Sequence, residues 1–265
     1  MNAPLTEKLL AQKDGAIGWI TFNNPARLNA MSLSMWEGLE TLVKDFTADD
    51  AIRVIVLKGA GDKAFVSGAD ISEFEEKRSS AEATQIYNAA TDRATEALSR
   101  AGKPTVAMVH GYCIGGGVSI ASSCDLRIAS DGSKFGVPAA KLGLGYAQKG
   151  VRKLMDLVGP AYAKEIFYTA RQFTAPEALA MGLINRMLPA AELEPFVREQ
   201  AGTIAGNAPL TLAAVKTIVG ELLKDPGERD LALCARVVER CFASADYVEG
   251  RTAFMEKRKP VFRGR

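Results

Sequence analysis

Two short runs of small residues could present backbone N–H groups to a negatively charged oxygen. Ser67–Asp70 (SGAD) and Ile114–Gly117 (IGGG) each follow an apolar run of strand type. Small residues let the backbone approach a ligand closely. Two such loops, with a helix opening at the second, are the arrangement that an oxyanion hole requires. The alternative that spacing alone leaves open is a pair of ordinary glycine turns.

Side-chain nucleophiles are less well supported by the order of the residues. Gly117–Ala121 (GVSIA) has the pattern of a nucleophile elbow, but in serine hydrolases of that type the base histidine follows the serine. The single histidine, His110, precedes Ser119 by nine positions. This order favours a serine packed on a helix. For His110 it favours a hydrogen-bonded residue at a strand end, although an acid-base role stays open.

Two further patterns argue against a nucleotide loop and a metal site. Gly59–Ala64 follows an apolar strand, as a dinucleotide-binding loop does, but that loop must open a helix. The residues that follow, 65–68 (FVSG), are poor helix formers, so a plain turn is favoured. The four cysteines contain no C-x-x-C pair, and with one histidine they predict neither a zinc site nor a disulfide scaffold.

Apolar periodicity in the first half predicts strands that alternate with helices. The predicted strands are Ile17–Phe22, Arg53–Lys58, Thr105–Val109 and Asp125–Ala129. Apolar residues recur at helical spacing from Leu33 to Phe46, and a second amphipathic stretch covers Ala83–Ser99. This alternation favours an α/β layered fold.

The second half has a different character. Thr174–Glu177 (TAPE) fits a helix capping box with proline in the first turn. Further helices are predicted over Glu192–Ile204, Leu210–Leu223 and Glu228–Phe242, and strand signals disappear from about residue 200. We therefore expect an α/β core over residues 1–200 and a helical region over residues 201–265.

Length and charge limit the classes of partner. The 265 residues, 48% of them hydrophobic, can bury a substantial core. Lys and Arg number 33 against 31 Asp and Glu, and this balance gives no electrostatic case for nucleic acid or an anionic membrane. No secretory signal is visible, and apolar runs stop well short of the ~18 residues of a membrane span. We expect a cytoplasmic protein.

Motifs along nearly the whole chain resemble, in order, those of the crotonase or enoyl-CoA hydratase/isomerase family. The matching segments are Phe22–Pro25, Leu28–Ala30, Lys63–Ile71, Val109–Gly117, Cys124–Leu126, Leu142–Leu144, Phe173–Gly182, Glu249–Arg251 and Phe254–Arg258. The resemblance implies a β-β-α spiral core and a helical C-terminal region that builds trimers or dimers of trimers. It also implies an acyl-CoA thioester as partner, with coenzyme A entering as part of the substrate and no permanently bound cofactor or metal.

The resemblance assigns roles to particular positions. The N–H groups of Ala69 and Gly116 fall on the two oxyanion-hole positions of the family, and a helix that begins near Gly116 would direct its positive end at the thioester oxygen. The implied CoA contacts are Arg27, Leu28, Ala30, Ser67, Ala69, Asp70, Ile71, Ser72, Phe254 and Lys257. For Lys257, a solvated charge within the basic run 257–259 is the alternative.

The acid-base positions depart from the family pattern. The two usual glutamate positions are Ser119 and Ala139, and an aspartate position of some relatives is Ala147. Adding water to a double bond needs a base and an acid. The nearby groups that could replace the carboxylates are Ser119, Lys141, Tyr146, Gln148 and Lys149, with Asp70 and Asp125 as alternative acids. Because a phenol has an ordinary pKa of ~10, packing is the favoured role of Tyr146.

We therefore predict an enzyme of this family that binds an acyl-CoA thioester and stabilises its enolate through a two-amide oxyanion hole. A hydratase is the first expectation, even though Ser119 and Ala139 replace the glutamate pair. Two alternatives remain. One is a non-catalytic acyl-CoA-binding homologue, and the other is an acyl-CoA isomerase, decarboxylase or thioesterase that uses Tyr146 or water.

Overall fold

Six strands form the larger sheet of the protein, for which a computed structural model describes residues 6–70 and 81–265. These strands are β1 (Leu9–Asp14), β2 (Ile17–Phe22), β3 (Val54–Gly59), β5 (Thr105–Val109), β7 (Leu126–Ser130) and β10 (Arg186–Leu188). They lie side by side in the order β1-β2-β3-β5-β7-β10. The first pair is antiparallel and the other neighbours are parallel.

Four very short strands form a second sheet. They are β4 (Ala64–Val66), β6 (Tyr112–Ile114), β8 (Lys134–Gly136) and β9 (Phe173–Thr174), in the order β4-β6-β8-β9. Each of β3, β5 and β7 is followed directly by a short strand of this second sheet. The chain therefore alternates between the two sheets before each crossover, which places three short loops together at one edge.

Helices follow each of these strand pairs and complete the chain. They are α1 (Leu33–Ala48), α2 (Ala81–Arg100), α3 (Gly116–Ser123), α4 (Gln148–Thr169), α5 (Ala175–Ala180), α6 (Ala190–Ala205), α7 (Pro209–Leu222), α8 (Leu231–Phe242) and α9 (Ala245–Met255). The repeated unit is thus strand, strand, helix: β3-β4-α2, β5-β6-α3 and β7-β8-α4. The α/β class predicted from the sequence is confirmed.

The inner strands of the larger sheet are buried on both faces, and their side chains alternate between those faces. Ile20 and Ile55 face the core that contains α1 and α2, whereas Trp19 and Val56 face α6. Successive side chains of a strand point to opposite faces, so a strand covered on both sides is apolar throughout. This explains why β2, β3 and β5 appear in the sequence as continuous apolar runs.

Several predicted boundaries differ from the observed ones by one to three residues. The strands expected over Arg53–Lys58 and Asp125–Ala129 are each displaced by one residue, to Val54–Gly59 and Leu126–Ser130. The helix expected from Glu228 begins at Leu231. Asp230 is its N-cap and accepts a hydrogen bond from the Leu233 N–H at 2.7 Å, while Pro226–Glu228 forms a separate 3-10 turn.

The C-terminal helices are attached to the core through Lys216 of α7. Its Nζ donates to the carbonyls of Leu98 at 3.2 Å and Lys103 at 3.1 Å, and to Asp125 Oδ2 at 2.9 Å. The same Oδ2 accepts from the Thr105 N–H at 2.7 Å, so Asp125 holds a structural position. Among the described residues no helix is both long and apolar enough to cross a bilayer.

Candidate functional site

The Ala69 amide belongs to a peptide group whose opposite side is fixed. The Met31 N–H donates to the Gly68 carbonyl at 2.8 Å, and the Asp70 N–H donates to the Met31 carbonyl at 3.0 Å. In a trans peptide the C=O and N–H point in opposite directions, so the Ala69 N–H points away from Met31. Within the described part of the chain this N–H donates to no protein group.

The Gly116 amide is oriented in the same way by the start of α3. The Gly115 carbonyl accepts the Ser119 N–H at 3.1 Å, so the Gly116 N–H of the same peptide points out of the helix N-terminus. Gly115 has φ of 53° and ψ of −108°, a conformation that glycine adopts far more readily than other residues. The sequence prediction that a helix opens at the second loop is confirmed.

The two loops lie against one another. A Cβ placed on Gly115 would lie 3.8 Å from Gly68 Cα, and one on Gly116 would lie 3.8 Å from the Gly68 carbonyl carbon. At Gly117 a Cβ would lie 2.3 Å from the Val66 carbonyl oxygen, so only glycine allows this close approach. The fold therefore brings the two candidate peptides together from positions far apart in the chain.

The segment Arg27–Ala30 packs beside the first loop. The Ser67 N–H donates to the Leu28 carbonyl at 3.1 Å, and the Ser67 hydroxyl donates to the Arg27 carbonyl at 3.4 Å. Arg27 is exposed, Leu28 is half-buried and Ala30 is buried. These candidate CoA contacts are thus contiguous with Ser67, Ala69 and the buried Asp70.

Asn29 is a residue of this segment that the sequence analysis missed. It has a left-handed φ of 56° and is fully buried. Its side-chain amide donates to the carbonyls of Ala60 at 3.0 Å and Ala64 at 2.7 Å. Asparagine tolerates the left-handed region better than most residues, and this preference is the signal that could have identified it. Asn29 ties the Arg27–Ala30 segment to the turn at Gly59–Ala64.

Beside the second loop, Ser119 and Tyr146 form a hydrogen-bonded pair. Ser119 lies one turn after Gly116 on α3, and its Oγ is 2.9 Å from the Tyr146 hydroxyl. Ala139 is buried in the 3-10 turn Pro138–Leu142, and Ala147 is the exposed N-cap of α4. The three positions to which the family resemblance assigns carboxylates therefore offer here only one hydroxyl and two methyl groups.

The ring of Tyr146 is closely packed by its neighbours. Its ring packs edge-on against Phe167 with centroids 4.9 Å apart, and a Cβ on Gly150 would lie 2.8 Å from Tyr146 Cε1. Burial raises the pKa of the Tyr146 phenol above 10, and the hydrogen bond with Ser119 offsets part of that rise. The packing predicted for this residue is present, and its hydroxyl is in addition a neutral donor at pH 7.

Below this pair, Lys153 of α4 joins three helices. Its Nζ donates to Ser123 Oγ at 2.9 Å and to the Thr95 carbonyl at 3.2 Å, and the Ser123 hydroxyl donates to the Ser119 carbonyl at 2.8 Å. Burial lowers the pKa of Lys153. No sequence signal identified this residue, because its partners come from α2 and α3.

His110 lies in a different environment. The nearest charges are those of Asp62, Lys58 and Glu194, and burial lowers the pKa of the imidazole. Its Nε2 is buried and has no partner among the described residues. The structure thus places His110 beside the turn at Gly59–Ala64 and in no contact with the Ser119–Tyr146 pair.

The remaining candidates are not brought together with the loops. Phe254, at the end of α9, is 82% exposed, and Lys257 is exposed with a left-handed φ of 54°. Neither is hydrogen-bonded to the loop candidates in the part of the chain that the structure describes. Ile71 and Ser72 lie outside the described residues. Residues 6–70 and 81–265 contain no group of three His, Cys, Asp or Glu residues that could hold a metal ion.

Comparison with known proteins gives consistent matches over nearly the full length. Residues 12–265 match the family model described as enoyl-CoA hydratase/isomerase. A short-chain-enoyl-CoA hydratase of Clostridium acetobutylicum is 34% identical over 251 residues, which cover 95% of each chain. A crotonyl-CoA hydratase of Syntrophomonas wolfei is 34% identical over 256 residues, covering 97% of this chain and 98% of the relative.

A solved structure agrees with the fold. The enoyl-CoA hydratase/carnithine racemase of Magnetospirillum magneticum superposes with a TM-score of 0.93 at 35% identity, over 98% of this chain and 97% of that one. The fold is that of a crotonase-type α/β protein. The chain belongs to the enoyl-CoA hydratase/isomerase family. The family recognition made from the sequence is confirmed.

Proposed function

We propose that the protein binds an acyl-CoA thioester and stabilises the enolate of that thioester through the N–H groups of Ala69 and Gly116. The observation that carries the proposal is the orientation of the two peptides. The carbonyls of Gly68 and Gly115 are engaged on the far side by Met31 and Ser119, while the amides have no protein acceptor among the described residues. Donors fixed in advance lower the energy of a developing oxyanion without further reorganisation.

Coenzyme A enters this proposal as part of the substrate. We place its contacts along the strip where Arg27, Leu28 and Ala30 adjoin Ser67 and Ala69, since these groups are contiguous. Asp70, Ile71 and Ser72 continue this strip in sequence, and Phe254 with Lys257 completes the set. The exposure of Phe254 fits a contact made with a ligand or with another subunit.

Addition of water to a 2-enoyl thioester is the first candidate reaction, because the relatives are named hydratases. It needs a base for the water and an acid for the α-carbon. Ala139 supplies neither, and a neutral Tyr146 supplies a proton but does not remove one. Hydration by this chain would therefore depend on a base outside the usual positions.

The Ser119–Tyr146 pair favours a second candidate, decarboxylation of a thioester that carries a carboxylate on its α-carbon. The bond between the α-carbon and the carboxylate breaks, carbon dioxide leaves, and the electron pair forms the enolate. The Tyr146 hydroxyl or a water then donates a proton to the α-carbon. This route needs an oxyanion hole and a neutral donor but no base, which matches the groups present.

One assay separates the candidates. The protein is incubated with crotonyl-, β-keto- and malonyl-type CoA thioesters, and the products are followed by mass spectrometry. A gain of 18 Da indicates water addition, and a loss of 44 Da indicates decarboxylation. An unchanged mass with a changed chromatographic retention indicates bond migration, and release of free CoA indicates thioester hydrolysis. An unaltered thioester with saturable binding indicates an acyl-CoA-binding homologue. Absence of binding to any thioester would contradict the proposal.

We also propose assembly into a homotrimer or a dimer of trimers. In α8, Leu231, Val238 and Phe242 form one exposed apolar face, and no residue of this helix is buried in the single chain. An apolar face of this kind commonly marks a protein interface. Sedimentation should give three times the chain mass or six times it, and a monomer at micromolar concentration would contradict the assembly.

A further inference from the structure

Trp36 lies in the first turn of α1, between the two candidate loops. Its side chain is 1% exposed, and a Cβ placed on Gly116 would lie 3.2 Å from Trp36 Cζ2. The indole ring therefore packs against the α-carbon of Gly116, the residue that carries the second candidate N–H. This contact fixes how closely the start of α3 can approach α1, because buried aromatic rings in a packed core have little freedom to move.

The indole N–H of Trp36 is connected to the Ala69 loop through hydrogen bonds. Trp36 Nε1 donates to the Tyr87 hydroxyl at 2.8 Å, and that hydroxyl donates to the Met31 carbonyl at 3.2 Å. Met31 is the residue whose N–H holds the Gly68 carbonyl and whose own carbonyl accepts the Asp70 N–H, so it fixes the chain on either side of Ala69. The Met31 carbonyl thus receives a side-chain and a backbone donor, which fixes it in place.

We propose that the Trp36–Tyr87 pair is a positioning unit that sets the separation and orientation of the two candidate oxyanion amides. This inference rests on the proposed function and adds to it two residues that touch neither substrate nor reacting atoms. Trp36 acts on Gly116 through its ring and on Ala69 through the hydrogen bonds to Tyr87 and Met31. A displacement of either residue alters the polarisation of the thioester carbonyl more than it alters CoA binding, since neither Trp36 nor Tyr87 is itself one of the proposed CoA contacts.

The test measures polarisation and affinity separately. An acyl-CoA labelled with ¹³C at the thioester carbonyl reports polarisation by its NMR shift on binding, and calorimetry reports affinity. Tyr87→Phe removes the bridging hydroxyl, and Trp36→Phe removes the Nε1 donor and part of the ring. Because Tyr87→Phe leaves the buried Trp36 Nε1 without this acceptor, the double variant Trp36→Phe/Tyr87→Phe is measured as well.

The chain offers a matched control in its other tryptophan. Trp19 is buried to a similar degree on the opposite face of the larger sheet, in the cluster that contains α6. Trp19→Phe should leave both the carbonyl shift and the affinity within about twofold of wild type, since the protein loses a ring of the same kind far from the loops. Melting temperatures of all variants check that folding is intact.

The proposal predicts a split result for the three variants of the pair. The change in carbonyl shift on binding should fall to half or less, while the dissociation constant rises less than about fivefold. A full carbonyl shift in folded Tyr87→Phe and Trp36→Phe proteins would overturn the inference. Absence of binding or of any shift in the wild-type protein would instead remove the proposed function itself.

A final readout needs no substitution. In wild-type protein labelled with 5-fluorotryptophan, the two indoles give separate ¹⁹F resonances, which the Trp19→Phe protein assigns. Loading with acyl-CoA should shift the Trp36 resonance and leave the Trp19 resonance in place. Equal or absent responses of the two resonances in a protein that binds acyl-CoA would contradict the placement of Trp36 against an occupied site.

Discussion

The candidate site has two parts, the paired peptides of the oxyanion loops and the positions assigned to acid-base groups, and they differ in how far they follow the family pattern. On one side, the Gly68–Ala69 and Gly115–Gly116 peptides have their carbonyls engaged and their amides directed away from the engaged partners. On the other, Ser119 and Ala139 occupy the positions to which the family resemblance assigns the hydratase glutamates. Polarising a thioester carbonyl and moving a proton are separate tasks, so the first can persist while the second changes. This separation predicts binding and enolate stabilisation with altered proton chemistry.

The largest expected effect comes from restoring the missing carboxylates. Ser119→Glu with Ala139→Glu should raise hydration of crotonyl-CoA by about 10²–10⁴-fold, since that is the usual contribution of a positioned acid-base group. Neither single substitution should give the full gain, because water activation and proton delivery must occur in one geometry. Mass spectrometry of the hydrated product measures the rate.

Ser119→Gln with Ala139→Gln is the matched control, since it adds the same volume without an acid or a base. Both double variants require a melting check, because new polar groups at these partly or fully buried positions can destabilise the fold. Ordinary enzymatic hydration by wild type would contradict the comparison between the two sides. So would a folded Glu variant that binds acyl-CoA without any gain over its Gln control.

The next largest effect concerns the phenol. Tyr146→Phe keeps the ring against Phe167 and removes the hydroxyl that bonds to Ser119. Turnover of the thioester identified by the product assay should fall about 10²-fold, the lower end of the contribution of a general acid. Acyl-CoA affinity should stay within a few fold. Unchanged turnover would assign Tyr146 to packing alone.

The pH profile of wild type sharpens this point. Burial raises the pKa of Tyr146, and a proton donor is active in its protonated form. Turnover that depends on the phenol should therefore persist as pH rises to 10 and be lost only above it. A loss centred between pH 7 and 9, in protein that remains folded, would point to another donor.

A smaller loss of turnover is expected when the Tyr146 ring is displaced but keeps its hydroxyl. Gly150→Ala would bring a methyl group to 2.8 Å from the Tyr146 ring, so the ring must move and its bond to Ser119 must weaken. Turnover should fall about tenfold, less than for loss of the hydroxyl. Gly220→Ala is the control, because that helical glycine faces open space. Equal turnover rates for Gly150→Ala and Gly220→Ala would show that the position of the Tyr146 ring does not affect turnover.

The smallest expected effect concerns His110, whose replacement should alter the pH dependence of stability but not turnover. Its folded pKa is lowered by burial, so the unfolded chain binds more protons below pH 6.5. The stability linked to His110 is thus complete above pH 6.5 and is lost as pH falls toward the folded pKa. In denaturant titrations between pH 7.5 and 5, His110→Gln should therefore lose less stability than wild type. Thioester turnover at pH 7.5 should not change, and a large loss would place His110 in the chemistry.

Local patterns sufficed for elements that are long and uniformly buried. β2 and β5 were predicted with their observed bounds, because both faces of the larger sheet are covered and every residue is apolar or small. The Thr174–Glu177 capping box was predicted for the same kind of reason, since it is complete within four residues. The short strands β4, β6 and β8 were missed because three residues carry no detectable period.

The longest helix shows the limit of such patterns. α4 covers 22 residues and was not predicted, because Gly159 and Pro160 interrupt it and Gly159 has a φ of 74°. The site shows the same limit on a larger scale. The loops at Ala69 and Gly116 were found from small residues after strands. The Ser119–Tyr146 and Trp36–Tyr87 contacts span 27 and 51 positions and arise only from packing.

The central claim is that the Ala69 and Gly116 amides polarise a bound thioester, and infrared difference spectroscopy of crotonyl-CoA with a ¹³C-labelled carbonyl tests it directly. The carbonyl stretch should move to lower frequency in wild type. Gly116→Pro should lose most of that displacement, because proline lacks the N–H and yet is tolerated at the first residue of a helix. Gly116→Ala adds the same Cβ against Trp36 and keeps the N–H, so it should retain more of the displacement than Gly116→Pro. An undisplaced stretch in wild type, or an equal displacement in a folded Gly116→Pro protein, would contradict the account.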